Sequence, residues 1–213
     1  MTHTSGLELD DVAIRLAGRR LIALSATIAP GEVLTVMGRS GSGKSTLLAF
    51  VAGFLDPVFE ASGRVRLDGR DITALPADQR RTGLLFQDAH LFPHMSVGQN
   101  LLFAIRAGRA KGAGRRQLAE AALDEAGLSG FFDRDPATLS GGQKARAALM
   151  RVLLAEPRAL LLDEPFSGLD AGRRAQIRDF VFAEARQRSL PVLLVTHDAA
   201  DAQAAAGPVV ETG

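Results

Sequence analysis

The chain contains no cysteine, no tyrosine and no tryptophan. Without cysteine it can form neither a disulfide framework nor a thiolate metal site. Without tyrosine and tryptophan it lacks two of the usual stacking partners for a flat ligand. Long apolar runs are also missing. Residues 47–55 are the longest stretch, broken by Gly53, and fall well short of the roughly 20 residues that a membrane-spanning helix needs. Residues 1–10 are polar, with no apolar signal core. The chain is therefore not expected to cross a membrane alone, and a transport role would require a partner that does. Excess charge of either sign is absent too: 25 Lys and Arg against 24 Asp and Glu leave a net charge of +1. So balanced a chain has no strong field for nucleic acid or an anionic membrane, and nucleic acid is not an expected partner. What remains is 213 residues, 46% of them hydrophobic, enough for a sizeable core in one domain or two small ones.

Loose alternation of apolar and polar residues over 7–16 and 21–28, around Ala17-Gly18-Arg19, predicts an antiparallel strand pair. Pro30-Gly31 is a turn signal, and a largely apolar segment, 44–55, reads as a helix. Val65 to Leu67, Asp68-Gly69 and Ile72 suggest a hairpin. The short apolar runs 33–37, 83–86, 159–162 and 192–195 have the length and composition of strands buried on both faces of a parallel sheet. Each is followed at once by Gly38, Gln87, Asp163-Glu164 or Thr196-His197-Asp198. In open α/β sheets ligands bind beyond the carboxyl ends of the strands, so four segments bring chemistry to one sheet edge. Over 88–139 the pattern turns helical, with 98–107 and 116–126 as helices, which predicts a helical subdomain inserted between core strands.

Gly38-Arg39-Ser40-Gly41-Ser42-Gly43-Lys44-Ser45 matches the phosphate-loop pattern G-x-x-x-x-G-K-[ST]. Glycines let successive backbone N–H groups converge on one centre, and the helix that follows adds the positive end of its dipole. Lys44 can reach the β- and γ-phosphates, and the Ser45 hydroxyl can ligate Mg²⁺. A second anion-binding helix start is Leu139-Ser140-Gly141-Gly142-Gln143, with Ser140 as N-cap. It leads a helix on which Ala145, Ala148, Leu149, Val152 and Leu153 share a face. Third, the run ending Leu162-Asp163-Glu164-Pro165 delivers adjacent carboxylates that point to opposite faces. Asp163 can hold magnesium, directly or through water, while Glu164 orients an attacking water.

Taken together, Gly38 to Ser45, Gln87, Leu139 to Gln143, Leu160 to Glu164, Ser167-Gly168-Leu169-Asp170 and His197 resemble the ABC ATPase family, whose motifs follow in this order. Within it, the segment Phe86-Gln87-Asp88-Ala89-His90-Leu91-Phe92-Pro93-His94-Met95-Ser96-Val97 is similar to the ATP-binding subunits of bacterial binding-protein-dependent importers. The likeness is greatest to those paired with thiamine, iron, molybdate or sulfate permeases, and extends to a sparsely characterised importer ATPase of the same size. The resemblance implies a single α/β P-loop domain over 1–213, with an N-terminal antiparallel β subdomain, a core from 1–87 and 140–213, and a helical subdomain over 88–139. It implies ATP and Mg²⁺ as ligands, with Ser45, Gln87 and Asp163 at the metal and Thr46 beside Ser45 on the nucleotide. Glu164, Lys44, Gln87 and the switch residue His197 would be catalytic. Two copies would form a head-to-tail dimer with two ATP at the interface, each also held by Ser140, Gly142 and Gln143 of the other copy, and Asp170 at the seam. The partners would be a membrane permease and, indirectly, a solute-binding protein, at the cytoplasmic face of the inner membrane.

Departures from the family's pattern stand beside these expectations. Leu16 occupies the position where the family usually stacks an aromatic on adenine, which points to weaker nucleotide affinity or base selectivity. The signature continues Lys144-Ala145-Arg146, where glutamines commonly precede the arginine. The chain ends soon after His197, without an added C-terminal regulatory domain, and its last core strands look abbreviated. Phe92, Pro93 and Met95 are either permease contacts or a small local core. Arg106, Arg109, Lys111, Arg115 and Arg116 read as a solvated loop, His90 and His94 are not read as a metal site across Pro93, and Phe131-Phe132 reads as core. The function expected is Mg²⁺-dependent ATP hydrolysis driving solute uptake. The alternatives are a non-transport ABC ATPase of the cluster-assembly type and a nucleotide-binding scaffold, against which Lys44, Asp163, Glu164 and His197 together argue.

Overall fold

Ala17 and Gly18, with φ of 48° and 76°, make the two-residue turn that matches the twist of an antiparallel pair. It joins β1 (Leu7–Leu16) to β2 (Arg19–Ile28). The structure, a computed structural model, describes residues 6–39 and 41–212, and of residue 171 only its place in a helix. The remaining elements are β3 (Val33–Gly38), α1 (Lys44–Ala52), β4 (Phe59–Leu67), β5 (Arg70–Asp71), β6 (Thr82–Phe86), α2 (Val97–Ala104), α3 (Ala113–Glu125), α4 (Gly141–Leu154), β7 (Ala159–Asp163), α5 (Ala171–Gln187), β8 (Val192–Thr196), α6 (Ala199–Ala205) and β9 (Val209–Thr212). Among the described residues no helix is long and apolar enough to cross a membrane.

By contacts the chain divides into two compact units, one made of Met1–Leu84, Arg158–Glu164 and Phe182–Gly213, the other of Leu85–Pro157 and Pro165–Val181. The first holds an antiparallel sheet of order β2-β1-β4-β5 and a sheet of order β6-β7-β8-β3-β9, whose outer strand β6 begins in this unit. Strands β7, β8, β3 and β9 pair in parallel. The looseness of the β1 alternation has a physical cause. Leu7 and Leu9 are buried, a register shift follows, and Val12 and Ile14 are buried next. The extra residue at the bulge, Asp11 with φ 47°, resets which face points inward. Gly63 in β4 makes room for it, since a Cβ there would lie 2.3 Å from the Asp11 carbonyl oxygen.

Helix α1 stops at Ala52 rather than continuing to 55, because Gly53 (φ 88°) turns left-handed and its N–H bonds back to the Ala49 and Phe50 carbonyls. Buried Arg80 then satisfies further carbonyls there, donating to Phe50 O at 2.7 Å, Val51 O at 3.1 Å, Leu75 O at 2.7 Å and also Thr73 O. Burial lowers the Arg80 pKa, and the Asp71 charge opposes this. The last strand, β9, is short, at four residues, yet it is a full member of the sheet. Val209 and Val210 follow Gly207 and Pro208 and pair with Thr35 and Val36 of β3. Gly207 fits because a Cβ would meet the Val33 carbonyl oxygen at 1.9 Å.

The second unit packs α2, α3 and α4 together. Helix α2 starts with a reciprocal capping box between Ser96 and Gln99. Asn100, fully buried, organises the loop before it by accepting from Phe92 N (2.7 Å) and donating to the Phe92, Met95 and Ser96 carbonyls. Helix α2 ends at Ala104, where Ile105 is extended, and α3 begins at Ala113 after Gly112 (φ 51°), so both helices sit a few residues earlier than expected. The basic segment is largely exposed, as its sequence suggests, with Arg115 alone of its basic residues half-buried. Arg115 donates to the Leu102 and Ile105 carbonyls at the end of α2, Arg109 pairs with Glu156 at 3.0 Å, and Arg116 lies 4.0 Å over the buried ring of Phe132. Helix α4 buries Ala147, Ala148, Leu149, Met150, Leu153 and Leu154, a broader face than the expected stripe, in which Ala145 and Val152 are only half-buried.

Candidate functional site

Helix α1 begins without any side-chain cap. Its first flanking residue is Gly43, with φ 86°, which has no side chain to cap the leading N–H groups. Gly41 (φ 82°) and Gly43 supply left-handed turns that other residues adopt only at a cost. Lys44 is buried, and its ammonium donates to the carbonyls of Gly38 (2.7 Å) and Arg39 (2.9 Å). The loop thus fixes the lysine at its own centre. Ser40, an expected phosphate-binding residue, lies outside the described residues. Gly41, Gly43, Lys44, Ser45, Thr46 and Glu164 line one cavity of about 310 Å³, which Leu16 also borders.

The ends of β7 and β8 complete this site from the same unit. Ser45 Oγ donates to Asp163 Oδ1 at 2.9 Å. Burial raises the Asp163 carboxyl pKa, the neighbouring Glu164 charge adds to the rise, and the Ser45 hydrogen bond and Lys44 oppose it. Glu164 leaves the strand with φ 46° while its N–H bonds to Val195 O at 3.0 Å. Glu164 Oε2 lies 3.0 Å from His197 Nδ1. His197 follows Thr196, whose buried hydroxyl donates to Asp201 Oδ2 (3.2 Å) and accepts from Asp198 N (3.0 Å). That pair of bonds shapes the turn presenting the histidine.

Thr212 was not among the expected site residues. Its hydroxyl donates to Met37 O at 3.0 Å, so its contact with Ser42 Oγ at 2.9 Å must use Ser42 as donor, since a hydroxyl has one proton. Gly38 is tied to this arrangement, because a Cβ there would come within 2.1 Å of Thr212 Oγ1. The phosphate loop is therefore buttressed by β9. Only the Val-Val pair after Gly207-Pro208 could have signalled it.

The remaining expected residues belong to the second unit. Ser140 caps α4: its hydroxyl accepts from Gln143 N at 3.4 Å, and Gln143 Oε1 accepts from Ser140 N at 2.9 Å. Ser140, Gly142 and Gln143 line a cavity of about 190 Å³ with Arg146 and Arg173. Asp170 accepts from Arg173 N at 3.1 Å, as a capping carboxylate does at the start of α5. Gln87, exposed just after β6, borders a third cavity with Phe86, Lys144 and Leu169. In the adjoining loop Arg151 donates to His90 O and Ala89 O, and Phe92 stacks edge-on against Phe103 at 5.1 Å.

Residues 21–167 match the family described as ABC transporter. Over 195 residues the chain is 50% identical to YnjD of Escherichia coli (strain K12), named an uncharacterized ABC transporter ATP-binding protein, covering 91% of this chain and 89% of that one. It is 43% identical over 197 residues to the thiamine import ATP-binding protein ThiQ of Cereibacter sphaeroides, covering 92% and 84%. Over 187 residues it is 41% identical to the Fe(3+) ions import ATP-binding protein FbpC of Agrobacterium fabrum, covering 88% of this chain but only 52% of that longer protein. The chain belongs to the ABC transporter family, as one of its ATP-binding and ATP-hydrolysing members.

Proposed function

We propose that this ATPase powers solute import through a separate membrane permease fed by a solute-binding protein, working peripherally at the cytoplasmic face of the inner membrane. The import names of its relatives support this reading. One observation carries the hydrolytic part: Lys44 and Glu164 border one cavity, with Ser45 hydrogen-bonded to Asp163 and Glu164 Oε2 3.0 Å from His197 Nδ1. The Ser45 hydroxyl and Asp163 carboxylate are hard oxygen donors, and the raised pKa of Asp163 marks a carboxylate that a nearby cation would relieve. These two groups would hold Mg²⁺. When bound, Mg²⁺ neutralises charge on the phosphates.

Glu164 orients the attacking water and accepts its proton, while Lys44 offsets charge on the transferring phosphoryl group. His197 is held through Nδ1, leaving Nε2 as its polar atom for a γ-phosphate oxygen. Two copies assemble head to tail, so that Ser140, Gly142 and Gln143 of one meet the ATP held by the other, with Asp170 at the seam. Closure on ATP and opening on product release drive the permease, whose helix docks on the subdomain 88–139. Two measurements test this reading. Purified protein should release phosphate from ATP only with Mg²⁺, and tagged protein recovered from detergent-solubilised membranes should carry a multi-span permease. Phosphate release with only soluble partners would sink the transport assignment and leave the ATPase standing.

A further inference from the structure

The missing tyrosine and tryptophan leave the nucleotide base without an evident partner on β1, whose last residue, Leu16, is 36% exposed. The strand register supplies another. Phe59, the first residue of β4, pairs directly across from Leu16. Directly paired strand residues carry side chains on the same face, and Phe59 and Leu16 border the same cavity. That cavity has two chemically distinct groups of lining residues. Gly43, Lys44 and Ser45 belong to the phosphate loop, whereas Leu16, Leu21 and Phe59 are apolar side chains. Phe59 is also positioned rather than loose: its N–H bonds to Asp56 O at 3.0 Å, Asp56 Oδ1 accepts from Val58 N at 2.9 Å, and the half-buried ring packs against the core of this unit.

We infer that Phe59 is the base-stacking, specificity-determining residue of this ATPase, supplying from the start of β4 the aromatic face that the end of β1 lacks. The inference rests on the ATP site proposed above. A nucleotide with its triphosphate at the start of α1 would lay its base against this apolar group, and a phenyl ring offers the π-face that leucine cannot. Stacking reads the flat base and not the phosphates. Phe59 should therefore govern affinity for nucleotides while leaving affinity for a base-free triphosphate untouched.

The test uses the full chain with Mg²⁺-ATP and Mg²⁺-tripolyphosphate as probes. Phe59→Ala should raise the ATP KM about tenfold, with kcat within about twofold and the inhibition constant of tripolyphosphate unchanged. Phe59→Leu, which keeps apolar bulk without a ring, should lose most of the same affinity. Leu16→Tyr added to Phe59→Ala should restore it. Phe59→Trp would place a single tryptophan in a chain that has none, and ATP but not tripolyphosphate should quench its emission. The proposal is overturned if Phe59→Ala keeps its ATP KM, if both probes weaken in parallel, or if the tryptophan emission ignores ATP. Wild-type protein that hydrolyses no ATP would instead defeat the ATPase assignment itself, so the two failures are distinguishable.

Discussion

Helices α1 and α4 both begin among glycines at an anion-binding sequence, yet one start is open and the other closed on itself. Gly43 gives α1 no side-chain cap, and the lysine beside it is held by loop carbonyls. At α4, Ser140 and Gln143 satisfy one another's N–H groups in a full capping box. An uncapped start leaves the helix's own stability to its buried face and keeps its N–H groups for phosphate. A capped start is stable by itself, and its side chains must exchange local hydrogen bonds for phosphate oxygens when a ligand arrives. The difference suits the proposed roles, in which the first start holds nucleotide and the second meets nucleotide held by another copy.

The largest expected effect lies on the open side. Glu164→Gln keeps the shape of the site but cannot accept a proton, so turnover should fall by about 10² to 10⁴-fold while ATP affinity stays within about threefold. Phosphate release and equilibrium nucleotide binding on the same preparation check this. Unchanged turnover would remove Glu164 as the base. At the closed helix, Ser140→Asp separates capping from phosphate binding. Aspartate caps as well as serine, so Tm should hold to within about 2 °C, yet its charge would oppose a phosphate and turnover should drop at least about tenfold. If turnover survives, Ser140 serves only as a cap.

A matched pair of smaller changes compares the two starts directly. Gly43→Ala meets a left-handed φ of 86° and a Cβ contact of 3.0 Å with Leu21, a cost of about 1–2 kcal/mol. Ser140→Ala removes a cap worth about 1 kcal/mol. Each should lower Tm by a few degrees. In the proposed head-to-tail arrangement, only Gly43→Ala should also weaken tripolyphosphate binding by a single copy. Equal weakening by both variants would erase the distinction between an open and a closed start.

The parts of this architecture legible in the sequence are those where local chemistry and global fold agree. Apolar runs of four or five residues followed by Gly38, Asp163 or Thr196-His197 have few other uses, and the parallel sheet forms from them as expected. The illegible parts depend on partners distant in the chain. The bulge at Asp11 is intelligible only with Gly63 opposite it. Strand β9 is four residues long and acquires its role from Thr212 bonding to Met37 and Ser42. Phe59 sits six residues before the apolar Val65 that marked the hairpin, across Ser62 and Gly63, where the pattern fades. Arg80 has no periodic signal at all, since a buried arginine is recognised only by the carbonyls it gathers.

The smallest effect concerns the carboxylate that links the open helix start to the sheet. Asp163 has a pKa raised by burial above the value of about 3.9 it has in an unfolded chain. Below the unfolded value both states hold the proton and the group contributes nothing. As pH rises through the window between the two values, the unfolded chain releases its proton first. The folded form then binds more protons, and stability declines until the folded carboxyl also ionises. Asp163→Asn retains an oxygen for the Ser45 hydroxyl and removes the titration. In denaturant melts from about pH 4 upward, without nucleotide and with a chelator, the variant should gain stability relative to the wild type as pH rises, then run parallel to it. Mg²⁺ should narrow that gap by stabilising the wild type and not the variant. A gap that opens instead as pH falls would mean that Asp163 is stabilised as a carboxylate in the folded protein by Ser45 and Lys44, and that burial is not the dominant influence at this position.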